Sequence, residues 1–387
     1  MATIPTTASG IAAAITSKQI TAREVIDSYL AQISARETDI HAFNLVTADA
    51  ARAHADAIDA DIAAGRPIGP LAGVPIAIKD NLCTHGIETT CSSKILEGWK
   101  PPYDATVVSR LRDAGAIMVG KTNLDEFAMG SSTENSAFGP TRNPLDTSRV
   151  PGGSSGGSAA VVANNEADVA LGADQGGSIR IPAAFCGVLG HKPTHGLVPY
   201  SGIASLMPGL DHVGPIARSA HELALTMDAI AGPNEDDPRQ SALRGPAPWP
   251  SGYQMCAPQV NLGVAGLRIG LLQEGFDATR NGEQAGFAGS AAAADLVLSQ
   301  ALRLQELGAQ VTIMSIPIHA DSAKIYSPIL IDGAYQSLSL TAGRNFAGFG
   351  KDESASLEIS RRLAQNPEKV SLITAIVLLA GRHLDQV

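Results

Sequence analysis

The chain has 387 residues, a formal charge of -10, and 44% apolar but only 4% aromatic residues. This composition fits a globular protein of two or three domains or one large α/β unit. No run of Lys and Arg appears, so the basic footprint of a direct nucleic-acid binder is missing, and no segment approaches the ~20 apolar residues of a membrane span. The amino terminus, MATIPTTASGIAAAI, has no basic residues ahead of its short apolar stretch, which makes the cytoplasm the expected location.

In chain order, Thr21 with Glu24 reads as a capping box ahead of Val25, Ile26, Tyr29, Leu30 and Ile33, an apolar spacing that predicts a helix. An Ala-rich stretch from Thr47 to Ala64, closed by Gly65, predicts a second, so 1–66 reads as a helical lead-in. The period then changes. Val74 to Ile78 and Ala116 to Val119 read as short apolar strands, with a helix from Ala105 to Ala114 ended by Gly115 between them, which implies a parallel pair. Val169 to Leu171 continues the pattern, and so does Leu267 to Leu272, followed by a helix over 290–308 and a strand over 309–317. The fold class is therefore α/β. The prolines and absent periodicity of Gly232 to Pro258 read as a linker, and the apolar segment SLITAIVLLAGRHLDQV as a terminal helix in need of a partner surface.

Three segments carry chemistry. GVPIAIKDN ends an apolar strand at Lys79, with Asp80 and Asn81 following, which places the lysine at the carboxyl edge of the sheet where open α/β folds bind ligands. A lysine acts as a base near pH 7 only if burial lowers its pKa from ~10.4 by about three units, a cost of roughly 4 kcal/mol that demands a dry pocket. VPGGSSGGSAA holds Ser154 in a glycine-rich turn feeding an apolar helix start at Ser158, and lacks the GK[ST] of a phosphate loop. LGADQGGSIRIPAAFCG places Ser178 after Gly176 and Gly177, whose amides can converge on a developing oxyanion because no Cβ blocks the approach.

A Ser-His-Asp arrangement is the rival reading, since His191, His195, His212 and His221 all follow Ser178. None lies in a supporting motif, and Pro193 breaks the continuous helix that would set His191 and His195 on one face. Cys83, Cys91, Cys186 and Cys256 have irregular spacings, no CxxC and no His at a zinc-finger distance, so they read as reduced thiols and no structural metal is expected.

Together these segments, with YDATVVSRL and GKTNLDEFAMGSSTENSAFG, resemble the amidase signature family of serine amidases. The resemblance implies a central mixed sheet flanked by helices on both faces, occupying 67–387, and a Ser-cisSer-Lys triad. Carried over by position, Ser178 matches the nucleophile, Ser154 the bridging serine and Lys79 the base. The amides of Gln175, Gly176, Gly177 and Ser178 match the oxyanion hole, and Met129, Gly130 and Ser131 match the acyl side of the substrate pocket. The implied reaction is hydrolysis of a small-molecule amide through an acyl-enzyme, with no cofactor.

Two branches of the family share these features. DEFAMGSSTENSAFG is close to the glutaminase component of glutamyl-tRNA amidotransferase, which works with partner subunits, whereas DQGGSIR, HKPTHGLVPYSGIASLMPGLDHVGPIARS, DDPRQ and DGAYQ resemble stand-alone broad-specificity amidases. The later region shapes the acid-binding pocket and favours the stand-alone hydrolase. Family members usually carry a further carboxyl-terminal segment. Its absence here implies either a fragment or shortened variant, or an exposed apolar surface that something else covers, such as a second copy in a homodimer.

Overall fold

The computed structural model describes residues 3–237, 239–240, 261–275, 291–340 and 351–384. The chain divides into two compact units, Met1–Ala257 with Leu330–Val387, and Pro258–Ile329.

The first unit opens with helices α1 (Ala8–Thr16) and α2 (Ala22–Ile40). Thr21 and Glu24 form the capping box at the start of α2, each side chain bonding the other's backbone amide. Strand β1 (Phe43–Val46) and helix α3 (Ala48–Ala63) follow. Next come β2 (Pro75–Lys79), α4 (Thr106–Asp113), β3 (Ile117–Thr122), α5 (Gly156–Ala163), β4 (Val169–Asp174) and α6 (Arg180–Phe185). The short β5 (Leu189–Gly190), β6 (His212–Ala217) and α7 (Ala220–Ile230) complete this run.

The six strands form one mixed sheet in the order β1-β3-β2-β4-β6-β5. Its centre is parallel, β2 pairing with β3 on one side and β4 on the other. Every residue of β2 and β4 is buried, as expected of parallel strands covered on both faces. β1 adds antiparallel to β3, and β6 antiparallel to both β4 and β5.

Sequence periodicity passed over α1 and β1. The four residues of β1 are too few to show a period of two, and the strand exists because it pairs with β3. The amino-terminal helices seat directly on the sheet: the Tyr29 hydroxyl donates to buried Asp168 at 2.9 Å, and Arg218 pairs with the same carboxylate. Most of the expected linker lies outside the described residues, but its first part is held. Arg110 donates to the carbonyls of Ile230, Gly232 and Pro233, and the Gln240 amide to that of Gly196.

In the second unit, β7 (Arg268–Leu272) and β8 (Gln310–Met314) pair in parallel around helix α8 (Ala291–Glu306). They form their own two-stranded sheet rather than extending the six-stranded one. Helix α9 (Ser322–Tyr335) begins there, and its last residues, with α10 (Lys351–Gln365) and α11 (Leu372–Leu384), belong to the first unit.

These closing elements build a second apolar cluster, in which Ala334, Leu338 and Ile359 pack with Cys91, Ile95, Phe127, Met129 and Leu206. Polar contacts fix them. Arg362 donates to the carbonyls of Ile95 and Glu97, and buried Glu126 accepts from the Ser371 amide at 2.8 Å and the Thr374 hydroxyl at 2.6 Å. The outer face of α11 still exposes Leu372, Ile376 and Leu379. Among the described residues no helix is long and apolar enough to cross a membrane.

Candidate active site

Lys79 is the last residue of β2, the strand with a parallel neighbour on each side, and its side chain is fully buried. Its Nζ donates to Ser154 Oγ at 2.7 Å and reaches the Ala173 carbonyl of β4 at 3.4 Å. Burial drives the amine's pKa from 10.5 to about 7, against the opposing pull of Asp125, Asp174 and Asp211. Near neutral pH a substantial share of the amine is therefore unprotonated and able to accept a proton.

Ser154 sits in the turn before α5, after a cis Gly153–Ser154 peptide bond, and is inaccessible to solvent. The turn is pinned from several sides. Thr133 Oγ1 donates to the Gly152 carbonyl at 2.9 Å, the Asp125 amide to the Ser154 carbonyl at 3.3 Å, and the Ser155 amide to the Ser178 carbonyl at 3.1 Å. The last bond ties the two serine segments to each other. Gly153 is required by close approach, since a Cβ there would lie 2.2 Å from Asp125 Oδ2.

Ser178 follows β4 in the loop before α6 and keeps 8% of its surface accessible. Buried Asp174 organises this loop: Oδ1 accepts from the Gly177 amide at 2.9 Å, Oδ2 from the Ile179 amide at 3.0 Å, and Arg180 pairs with both oxygens. Burial opposes the charge on Asp174, but Arg180 and the two amides outweigh it and hold the carboxyl below its ordinary pKa. Gly177 adopts φ +128, where a side chain is strained.

This geometry sorts the four amides expected to face an oxyanion. The Gly177 amide is committed to Asp174, whereas those of Gln175, Gly176 and Ser178 have no acceptor among the described residues. Gln175 and Gly176 also lie toward solvent. Gln175 is steadied through its side chain, whose Nε2 donates to Asp211 Oδ1 at 2.8 Å. Asp211 is buried, accepts from the amides of Leu206 and Met207 and the Ser205 hydroxyl, and has its pKa raised by that burial.

Of the residues expected on the acyl side, Met129 is buried in the second apolar cluster, while Gly130 and Ser131 are exposed. Asp125 braces their loop, accepting from the amides of Ser132, Thr133 and Asn135. The same carboxylate lies against Gly153 and acts electrostatically on Lys79, so one side chain links the loop, the serine turn and the amine.

The histidines take other roles. His195 and His212 stack edge to face with centroids 5.3 Å apart, and Lys192 Nζ lies 3.2 Å from His212 Nε2. No hydrogen bond joins any of them to Ser178 among the described residues.

Residues 24–376 match the family model described as Amidase. The chain belongs to the amidase family. The glutamyl-tRNA(Gln) amidotransferase component of this family from Synechococcus sp. (strain CC9311) is 49% identical over 342 residues, 88% of this chain and 66% of that protein. The chain thus spans about two thirds of the length of such curated relatives. The native peptide amidase of Stenotrophomonas maltophilia superposes with a TM-score of 0.80 at 32% identity, over 97% of this chain and 75% of that one. The corresponding glutamyl-tRNA(Gln) amidotransferase component of Thermotoga maritima gives 0.68 at 33% identity, over 90% and 70%.

Sequence reading did not assign roles to the supporting carboxylates Asp125, Asp174 and Asp211, nor to Lys121. The signal for Asp174 lay in DQGGS itself, an acid just before a glycine turn whose amides need acceptors. Lys121 pairs in register with Ile78, on the face of the sheet opposite Lys79. It is fully buried, donates to the Leu82 carbonyl and Thr89 Oγ1 at 2.7 Å each, and lies 3.4 Å from Asp80 Oδ1.

Proposed function

We propose that the chain is a serine amidase that hydrolyses a carboxamide to a carboxylic acid and ammonia or an amine. The observation carrying this reading is the buried Lys79 amine, its pKa near 7, 2.7 Å from Ser154 Oγ in a turn bonded to the Ser178 segment. Ser178 Oγ attacks the amide carbonyl, its proton passes to Ser154 Oγ, and the Ser154 proton passes to Lys79 Nζ. The free amides of Gln175, Gly176 and Ser178 receive the oxyanion, each such donor being worth about 10²–10³ in rate. Lys79 then returns a proton through Ser154 to the leaving nitrogen, and water releases the acid from the acyl-serine by the same relay in reverse. Met129, Gly130 and Ser131 contact the acyl group. No cofactor enters these steps, and the buried thiols Cys83, Cys91 and Cys186 suit a reducing, cytoplasmic setting.

A second reading is the glutaminase component of an amidotransferase that works on charged tRNA with partner subunits. It is favoured by the name of relatives at 49% identity. The stand-alone hydrolase remains preferred because Gln175 and the segment from His191 onward resemble that branch.

One assay separates the two. Purified protein and its Ser178→Ala variant are given a panel of simple amides and glutamine, with ammonia measured. Turnover of unrelated amides by the parent alone supports the first reading. Glutamine hydrolysis that appears only when partner subunits are added supports the second, and equal rates for parent and variant sink both.

A further inference from the structure

A cavity of about 370 Å³ lies on the face of the sheet turned away from Lys79. Side chains alternate along a strand, so Ile76 and Ile78, which floor the cavity, point opposite to Ala77 and Lys79. Met118 of β3 extends this floor, and Ile87 closes one end. The walls come from two helices, each through an i, i+4 pair on one face: Ala50 and His54 of α3, Val108 and Arg112 of α4. The volume falls in the lower part of the ~300–1,000 Å³ range of small-molecule sites.

The polar groups on the wall favour an anion. Asp104 is already neutralised, since its carboxylate pairs with Arg112 and accepts the His85 amide at 2.8 Å. Arg112 spends only Nη1 on that pair. Its other guanidinium nitrogens have no acceptor among the described residues. The His54 side chain is half buried and makes no hydrogen bond among the described residues. Its imidazole is held below its ordinary pKa by burial and then by Arg112, so both groups would gain from an acceptor placed between them. His85, at the exposed edge, is a further donor; Thr84, whose hydroxyl donates to the Leu82 carbonyl, also lines the cavity, and the remaining lining is apolar.

We propose that this cavity binds a small monocarboxylate with an aromatic or branched aliphatic body, its carboxylate received between the His54 imidazole and the Arg112 guanidinium. The apolar body lies over Ile76, Ile78 and Met118. The site is separate from the catalytic segments and does not depend on how they are read, although an acid of this class is what amide hydrolysis releases.

The test is a titration of the Ser178→Ala protein with sodium benzoate, followed by the imidazole carbon-bound proton signals of its histidines, with benzyl alcohol as the uncharged control. The His54 signal is identified by its loss in His54→Gln. The expected result is a saturable His54 shift with benzoate and a much weaker response to the alcohol. In calorimetry, His54→Gln and Arg112→Gln should each weaken benzoate binding by about tenfold, the scale of one charge-assisted hydrogen bond. Arg112→Gln also removes the pair with Asp104, so His54→Gln, which breaks no hydrogen bond, decides if that variant fails to fold. A flat His54 signal, an equal response to benzyl alcohol, a shift confined to His212 beside the catalytic loop, or unchanged affinity in His54→Gln would each overturn the proposal.

Discussion

Replacing Lys79 by methionine should make the protein more stable at neutral pH while abolishing its proposed chemistry. Folding lowers the pKa of this amine from 10.5 to about 7. Between those values the unfolded chain binds more protons than the folded one, so stability rises with pH across this window and is constant below it. At 1.36 kcal/mol per unit, the buried lysine costs the folded state about 5 kcal/mol below the window and about 4 kcal/mol at pH 7. Methionine has similar length and no charge, and it gives up the 2.7 Å bond to Ser154, a loss of about 1 kcal/mol. The variant should therefore gain about 3 kcal/mol at pH 7, and its stability should lose most of its slope between pH 7 and 10.5. Urea unfolding of the two proteins across that range measures both effects. Amide hydrolysis by the variant should fall by at least about 10²–10⁴, the contribution of a general base. A variant less stable than its parent at pH 7, with an unchanged pH slope, would refute the argument, because it would mean that the amine is hydrated and charged in the folded protein.

Other expectations follow from the same site. The logarithm of kcat/KM should rise with unit slope up to about pH 7 and then level off as the Lys79 amine loses its proton; a profile flat down to the ordinary carboxylate range would exclude this base. Asp174→Asn should lower kcat by about 10²–10³ with a smaller change in KM, because the Gly177 and Ile179 amides and Arg180 lose the carboxylate that fixes the loop proposed to receive the oxyanion. Steady-state kinetics on a simple amide test this, and a change confined to KM would count against it. Lys121→Met should destabilise the protein by about 3–5 kcal/mol, the typical result of leaving one member of a buried ion pair, here Asp80, without its partner. Chemical denaturation checks the size, and a neutral result would show that Asn44 and Thr90 suffice for Asp80.

Much of this architecture could be read from the chain because the central strands are short, apolar and bounded by glycine, proline and polar residues. Val74 to Ile78 was legible as a strand ending at Lys79, and the parallel pairing followed from the helix between it and the next strand. What local pattern could not give was anything fixed only by tertiary pairing. β1 is a strand because β3 lies beside it, and β7 with β8 has the same period as the main strands yet forms a separate sheet. The site divides in the same way. The lysine and serines stood out through their glycine-rich surroundings, but Asp125 and Asp211 act by accepting from loop amides such as those of Thr133 and Leu206, and no spacing rule announces them. Assigning all four loop amides to an oxyanion also required knowing where the Asp174 carboxylate points, which the string DQGGS leaves open.

The location of Lys79 at the end of the innermost strand ties reactivity to the integrity of the whole interior. Its basicity is set less by any single neighbour than by the dryness that packed layers of Ile, Val and Ala enforce around it. A distant cavity-forming substitution that let one water molecule seep toward the amine would thus register first as an alkaline drift in the working range of the proposed chemistry, well before any sign of unfolding.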